Sequence, residues 1–433
     1  MIERLVGSTL RHLVDSGRLA RDEVVVVSKI GYVQASNLEM AKEREARGTP
    51  YPEMTKYEER LWHCIHPEFL RDQLQHSLDR LEVDTLDVCL LHNPEYFLSD
   101  AIRRGEGLDD ARDEFYRRLG EAFAFLEDQV AEGRLGAYGV SSNTLVAPEH
   151  HEDATSLTRM LDAARQAGGD RHRFSVVQLP LNLLESGAVF ERNHGPESSQ
   201  TVLAFAQSQG IAVLANRPLN AFVGGTLLRL ADANVEETNI DFEESLGRLA
   251  DLEFTFQAEI APRIQAAPDT LGPSDYFRLA ERLRELQPAL VSLAHWEQIA
   301  TQIDFAVRTL VMTLDRQLEG EFAARWSEWR DAYLPELEDL LRELRSRAAE
   351  RSQSWAAALA TAIDPLLPPE RRGESLSRKA LWTVASTPGV TCALNGMRTE
   401  TYVDDSLGVL GWPDLEPVQE VYKAAQSVLG RDP

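Results

Sequence analysis

The sequence predicts an α/β fold built around a parallel barrel. Short apolar runs alternate with amphipathic helical stretches, which is typical of parallel strands joined by crossover helices. Two of these runs lie in the strings VVVVSKIGY and TLDVCLLHNPE. The strand predicted in each string ends in a polar residue, Lys29 in the first and His92 in the second. Reactive groups of parallel barrels lie at the carboxyl ends of the strands, so both residues are candidate catalytic groups.

The elements follow one another at regular spacing. An amphipathic helix is predicted over residues 2–15. Six apolar or β-branched runs of the kind that parallel sheets bury on both faces predict strands near residues 24–28, 85–91, 136–141, 174–179, 211–215 and 390–394. Apolar residues at helical spacing predict helices at 69–81, 115–132, 156–167, 200–209, 375–386 and 415–429. The polar stretch 33–65 is expected to form a long loop.

Residues 225–374 differ from the rest of the chain. They contain no convincing strand, and apolar residues recur at helical spacing, which predicts an all-α insertion. We therefore divide the chain into a barrel, residues 1–224 and 375–433, and a helical insertion, residues 225–374. Its leucine stripes are expected to form the insertion's own core; a surface for a partner or for oligomerisation is the alternative.

Composition excludes several classes of partner. The chain of 433 residues has a formal net charge of −25, which argues against a nucleic acid or an anionic membrane as partner. No secretory signal peptide and no apolar run long enough to span a membrane is visible. The three cysteines suggest no disulfide framework, which favours a cytoplasmic location. His63, Cys64 and His66 lack a fourth ligand at regular spacing, so no metal site is expected.

Six strings together resemble the aldo-keto reductases over about residues 1–224 and 375–433. In order they are VVVVSKIGY, HPEFLRDQLQHSLDRLEVDTLDVCLLHNPE, LGAYGVSSN, FSVVQLPLNLLE, GIAVLANRPL and SLSRKALWTVASTPGVTCALNGMR. The resemblance implies a (β/α)8 barrel of the TIM-barrel type that binds NADP(H), less often NAD(H). It implies hydride transfer between that cofactor and a small carbonyl or alcohol substrate.

The resemblance also implies site residues. Lys29 matches the lysine that lowers the pKa of the family's proton-donating tyrosine, and His92 matches the histidine that orients the carbonyl group. Ser141, Ser142 and Asn143, with an ambiguity of one residue in register, and Gln178 match groups that hold the nicotinamide carboxamide. The remaining cofactor-binding candidates are Gly396 and Arg398, in the loop that grips phosphates, and Asn216 and Arg217, where the family has a stacking aromatic residue.

The sequence also departs from the family's pattern. The first two barrel strands, which carry the family's catalytic aspartate and tyrosine, would precede residues 2–15, so only six of eight strands are accounted for. A start codon placed too late, a partner that supplies the strands, and a decayed enzyme are the three explanations, and we favour the first. Tyr32 could replace the missing acid but is more readily placed in loop packing.

Two functions follow from these expectations. The first is an NADP(H)-dependent oxidoreductase whose insertion restricts access to a pocket lined by residues 33–65 and 95–113. The second is a catalytically impaired descendant that binds a nucleotide or a protein partner.

Overall fold

The computed structural model describes residues 2–264 and 272–430, which divide into two compact units. The first, here called the sheet unit, contains the residues up to Pro218 together with Leu381–Lys423. The second, here called the helical unit, contains Leu219–Ala380 and the described residues from Ala424 onward.

A six-stranded parallel sheet forms the centre of the sheet unit, and its strands lie side by side in chain order. The α/β class and the parallel arrangement predicted from the sequence are thereby confirmed. The strands are β1 (Val27–Ile30), β2 (Leu86–His92), β3 (Leu135–Ser141), β4 (Phe174–Pro180), β5 (Ala212–Asn216) and β6 (Cys392–Ala393).

The first strand differs from its prediction. We expected a strand buried on both faces from about residue 24, but β1 begins at Val27, and Val25 is 70% exposed. Within β1 only Ser28 and Ile30 are buried, whereas Val27 and Lys29 are exposed. Among the described residues β1 pairs with β2 alone, so it is an edge strand, and its alternating burial shows that only one of its two faces is covered.

Helices connect and cover these strands. The helix Pro67–Leu81 is an example: its residues Phe69, Leu70 and Leu74 are fully buried in the core of this unit. Each such side chain stabilises the fold by roughly 1.5–3 kcal/mol. The chain's helices outside residues 219–364 are Ile2–Asp15, Ser36–Ala46, Pro67–Leu81, Tyr96–Arg103, Leu108–Ala131, Leu157–Gly168, Gly187–Phe190, Val202–Ser208, Leu376–Ala385, Glu400–Leu407 and Val418–Ser427.

The prediction that residues 33–65 form a long loop is wrong. This stretch contains the helix Ser36–Ala46 and a three-stranded antiparallel sheet made of Tyr32–Val33, Leu61–His63 and Thr55–Glu58. Its few apolar side chains, such as Leu38 and Trp62, are buried despite the polar composition around them.

The helical unit consists mainly of four long helices, Phe242–Thr255, Ala280–Ala289, Leu293–Gln317 and Glu321–Ile363. The first continues into a π-helical turn, Phe256–Ile260. Stacked aromatic residues fill the core: Trp329 lies parallel to Tyr333 at 4.5 Å between ring centroids, and its indole N–H donates to the carbonyl of Leu252 at 2.7 Å. The predicted leucine stripes also lie in this core, where Leu337 and Leu344 are buried.

One pair of strands contradicts the prediction that residues 225–374 contain no strand. Asn220–Val223 and Thr226–Arg229 form an antiparallel hairpin. The two residues between them, Gly224 and Gly225, both have positive φ, as two-residue hairpin turns of this kind require. The glycine pair was the signal for this hairpin in the sequence.

Candidate active site at the carboxyl end of the sheet

Three predicted site residues form a row across the sheet. In the strand register His92 at the end of β2 lies beside Ser141 at the end of β3, and Ser141 lies beside Gln178 in β4. Lys29 pairs with Leu90, two residues before His92, and therefore projects from the same face of the sheet. The structure thus brings Lys29, His92, Ser141 and Gln178 to one face near the carboxyl ends of the strands.

After burial, the positive charge of Lys29 has the largest effect on the pKa of His92, which it lowers. Its side chain is exposed at the sheet edge, and partial burial lowers the pKa of its ammonium group. Within residues 2–264 and 272–430 it forms no hydrogen bond or ion pair. The carboxylate that the family resemblance pairs with this lysine therefore has no counterpart in the described part of the chain.

His92 is a half-buried imidazole that stays neutral at physiological pH. Burial, the charge of Lys29 and the neighbouring His63 lower its pKa to about 3. Its ring meets the ring of Tyr32 edge-on, with 4.4 Å between centroids. No hydrogen bond of the imidazole to another described residue is present, so its nitrogen atoms remain available to a ligand.

An aromatic cluster around His92 was not foreseen from the sequence. Tyr32 contacts His63 and Tyr96 as well as His92, each in an edge-on geometry. The Nε2–H of His63 donates to the carbonyl of His92 at 2.8 Å, and burial lowers the pKa of His63 to about 4. Gly31 makes this approach feasible: its φ is +138°, and a Cβ there would lie 2.8 Å from His63 Nε2.

Tyr32 is a poor acid in this setting. Its hydroxyl accepts a hydrogen bond from Asn93 Nδ2 at 2.8 Å. Burial first, and then Tyr96, raise the pKa of Tyr32 well above its ordinary value. Tyr32 therefore packs against the candidate site and keeps its proton.

Backbone contacts hold the turn at residues 141–143, here called the 141–143 turn. The carbonyl of Ser141 accepts from the backbone N–H of Asn93 at 2.7 Å, and the N–H of Ser142 donates to the carbonyl of Gln178 at 2.9 Å. The hydroxyl of Ser142 lies 3.1 Å from that of Thr155. Ser141 and Ser142 are buried, whereas Asn143 is exposed.

Glu95 is a second group that sequence reasoning missed. Its carboxylate is buried and accepts the backbone N–H of Asn143 at 2.7 Å. Burial raises the pKa of Glu95 to about 7. The signal in the sequence was only its place three residues after His92.

Asn216 is the last residue of β5, where it pairs with Pro180 of β4, and Arg217 follows it. The Oδ1 atom of Asn216 is buried and has no hydrogen-bond partner among the described residues. Arg217 adopts a φ of +55° and forms an ion pair with Glu185 at 2.9 Å. An acceptor without a partner at a strand end suits a ligand that carries an amide N–H.

The residues predicted to bind phosphate lie after β6. Gly396 and Arg398 are exposed, and a Cβ at Gly396 would meet nothing within 4 Å. The position therefore does not require glycine sterically. In the same loop Asn395 Nδ2 donates to the hydroxyl of Ser406 at 2.6 Å, and no ion pair holds Arg398 within the described ranges.

Neither a metal-binding group nor a membrane span emerges from the described residues. No group of three or more histidine, cysteine, aspartate or glutamate side chains there could hold a metal ion. No described helix is both long and apolar enough to cross a membrane.

Comparison with known proteins gives one extensive match. The model of the aldo/keto reductase family matches residues 2–415. No curated protein matches at a significant level.

Comparison with solved structures gives matches of low sequence identity and low TM-score. The glycerol dehydrogenase from Gluconobacter oxydans is 16% identical, with a TM-score of 0.43, over 99% of this chain and 77% of that one. The holo form of an aldo-keto reductase from Bacillus halodurans is 15% identical, with a TM-score of 0.39, over 98% and 78%. An aldo/keto reductase from Klebsiella pneumoniae in complex with NADP and acetate is 22% identical, with a TM-score of 0.27, over 50% and 48%.

Proposed function

The chain belongs to the aldo/keto reductase family, and from this premise we propose that it is an oxidoreductase that transfers a hydride between NADP(H) and a small carbonyl or alcohol substrate. The observation that carries the proposal is the row of His92, Ser141 and Gln178 at the carboxyl ends of neighbouring strands, with Lys29 on the same face.

The residues present fit the nicotinamide end of such a cofactor. A carboxamide needs hydrogen-bond donors and acceptors, and Ser141, Gln178 and the Oδ1 atom of Asn216 supply both kinds at adjacent strand ends. The exposed guanidinium of Arg398 suits a phosphate group. When bound, NADP(H) would supply the hydride. NAD(H) is the alternative cofactor, and parallel titrations with NADPH and NADH distinguish the two.

His92 would orient the substrate. Its neutral imidazole carries one N–H, which can donate a hydrogen bond to a carbonyl oxygen. The ammonium group of Lys29 would stabilise negative charge that develops on that oxygen. In this proposal Ser141 and Gln178 bind the cofactor, whereas His92 orients the substrate and Lys29 polarises it.

No effective proton donor for the carbonyl oxygen is identified among the described residues. Tyr32, the phenol in contact with His92, has a raised pKa, and Lys29 has no carboxylate partner in the described residues. These two observations favour the second candidate function, a catalytically impaired descendant that binds a nucleotide or a protein partner. We expect cofactor binding to be weak and turnover to be slow.

The direct test is a titration of the 433-residue chain with NADPH, followed by a screen for carbonyl-dependent loss of NADPH absorbance. Measurable binding with slow turnover is the expected result, and Lys29→Met should abolish the turnover. Absence of cofactor binding would refute the proposed function. Rapid turnover would refute the inference that an effective proton donor is lacking.

We further propose that the six parallel strands correspond to the third to eighth strands of the family's barrel. In this proposal residues 1–224 and 375–433 form the barrel, and residues 225–374 are an insertion in it.

A further inference from the structure

Glu95 lies beside the 141–143 turn, yet hydride transfer as proposed above makes no use of it. The residue occupies the N-cap position of the helix Tyr96–Arg103, but its side chain makes no capping hydrogen bond there, and only 5% of its surface is exposed. A buried carboxylate is costly, because burial removes it from water. What this carboxylate contacts instead therefore decides its role.

The contacts of Glu95 join two parts of the candidate site. Its Oε1 accepts the backbone N–H of Asn143 at 2.7 Å, whereas its Oε2 is buried and has no hydrogen-bond partner among the described residues. Two residues earlier, the backbone N–H of Asn93 donates to the carbonyl of Ser141 at 2.7 Å. The segment that follows His92 is thus attached to the 141–143 turn at two points.

We propose that Glu95 is a positioning residue whose carboxylate holds the backbone of Asn143, so that the 141–143 turn presents its nicotinamide-binding groups in register with His92. The inference rests on the proposed function, because it assigns Glu95 a role in that cofactor site. The bond runs to a backbone N–H, so the side chain of Asn143 remains free to face the ligand.

The chemistry of the contact makes it sensitive to pH. The pKa of Glu95 is raised to about 7: burial raises it most and the nearby charge of Asp153 also raises it, whereas the hydrogen bond from the backbone N–H of Asn143 lowers it. Tyr32 also interacts with this carboxyl, and burial raises the pKa of its phenol so that it stays neutral. Above pH 7 the ionised carboxylate forms a charge-assisted bond with Asn143, and below pH 7 the bond becomes an ordinary neutral one.

The test compares the NADPH dissociation constant of the wild type with that of Glu95→Gln at pH 6 and pH 8. The amide of glutamine has nearly the same shape, accepts one hydrogen bond and carries no charge. We expect the variant to bind roughly tenfold more weakly than the wild type at pH 8 and about equally at pH 6. Both proteins are titrated with the same ligand, so titration of the NADPH phosphate affects both dissociation constants equally and cancels in their ratio.

Glu253→Gln is the matched control. Glu253 is also a buried carboxylate with a raised pKa, and it accepts the backbone N–H groups of Leu279 and Ala280, but it belongs to the helical unit. Its variant should bind NADPH as the wild type does at both pH values. Urea unfolding midpoints at pH 8 show that the variants are folded, and the midpoint of Glu95→Gln should not be below that of the wild type.

The outcomes separate the two proposals. A wild type that binds no NADPH at pH 8 refutes the proposed function and the role of Glu95 with it. A wild type that binds, with Glu95→Gln equal to it at both pH values, refutes the positioning role alone. A variant that loses affinity equally at both pH values together with a lowered urea midpoint indicates a purely structural role, which also overturns the inference.

Discussion

Replacing Glu95 by glutamine should stabilise the protein at alkaline pH, and the structure sets the size of the effect. The pKa of Glu95 is raised from an ordinary value of 4.5 to about 7 because the carboxyl is buried. Since each step of one in pKa corresponds to ~1.4 kcal/mol, ionisation in the folded state costs roughly 3 kcal/mol. The folded state thus binds more protons than the unfolded state between pH 4.5 and pH 7.

The sign follows from this proton balance. The free energy of unfolding falls as the pH rises through that window, and the contribution of Glu95 is least favourable above pH 7. Glutamine does not titrate, so the variant avoids the cost. The replacement of a carboxyl oxygen by an amide nitrogen also changes the free energy of unfolding, but by an amount that does not depend on pH.

Urea unfolding at several pH values between 4.5 and 8 measures the effect. The free energy of unfolding of Glu95→Gln minus that of the wild type should rise by roughly 3 kcal/mol from the acidic to the alkaline end of the range. A difference that stays constant with pH, or one that grows towards acidic pH, would show that burial does not raise the pKa of Glu95. Other titrating groups are common to both proteins and cancel in the comparison.

Two further predictions concern Lys29 and the helical core. Lys29→Met removes a charge that lowers the pKa of His92, so this pKa should rise above about 3 but stay below the usual range, because burial remains. The pH dependence of the His92 resonance in nuclear magnetic resonance spectra measures this pKa. An unchanged pKa would contradict the electrostatic role of Lys29. Trp329→Ala removes a buried ring and its hydrogen bond to a carbonyl, and it should lower the free energy of unfolding by about 3–5 kcal/mol, measured by urea titration. Phe305→Ala, at a site 73% exposed, is its control and should change the free energy by less than about 0.5 kcal/mol; equal losses would mean that Trp329 does not stabilise the core.

Much of the sheet could be predicted because its information is local. A run such as residues 174–179 is mostly apolar and β-branched, and the structure places a strand there whose end differs by one residue. The prediction failed where environment decides the outcome. Val25 and Val27 have the same β-branched side chains as buried strand residues, yet they lie at an edge and are exposed.

The candidate site was predictable only in part for a related reason. Lys29 and His92 could be identified because each ends a recognisable strand. Glu95 and His63 could not, since their roles depend on contacts with Asn143 and with the backbone of His92, 48 and 29 positions away. Such pairings follow from the topology of the sheet, which composition and periodicity do not specify.

The edge position of β1 has a dynamic consequence for the candidate site. Lys29 lies on a strand with a single neighbour among the described residues, whereas Ser141 and Gln178 lie on strands with a neighbour on each side. Local opening costs least where few backbone hydrogen bonds must break, so amide hydrogens should exchange faster along β1 than along β3 and β4. Ser141 and Gln178, proposed to hold the nicotinamide, therefore lie on interior strands, whereas Lys29, the charge proposed to assist the chemistry, lies on an edge strand that opens more easily.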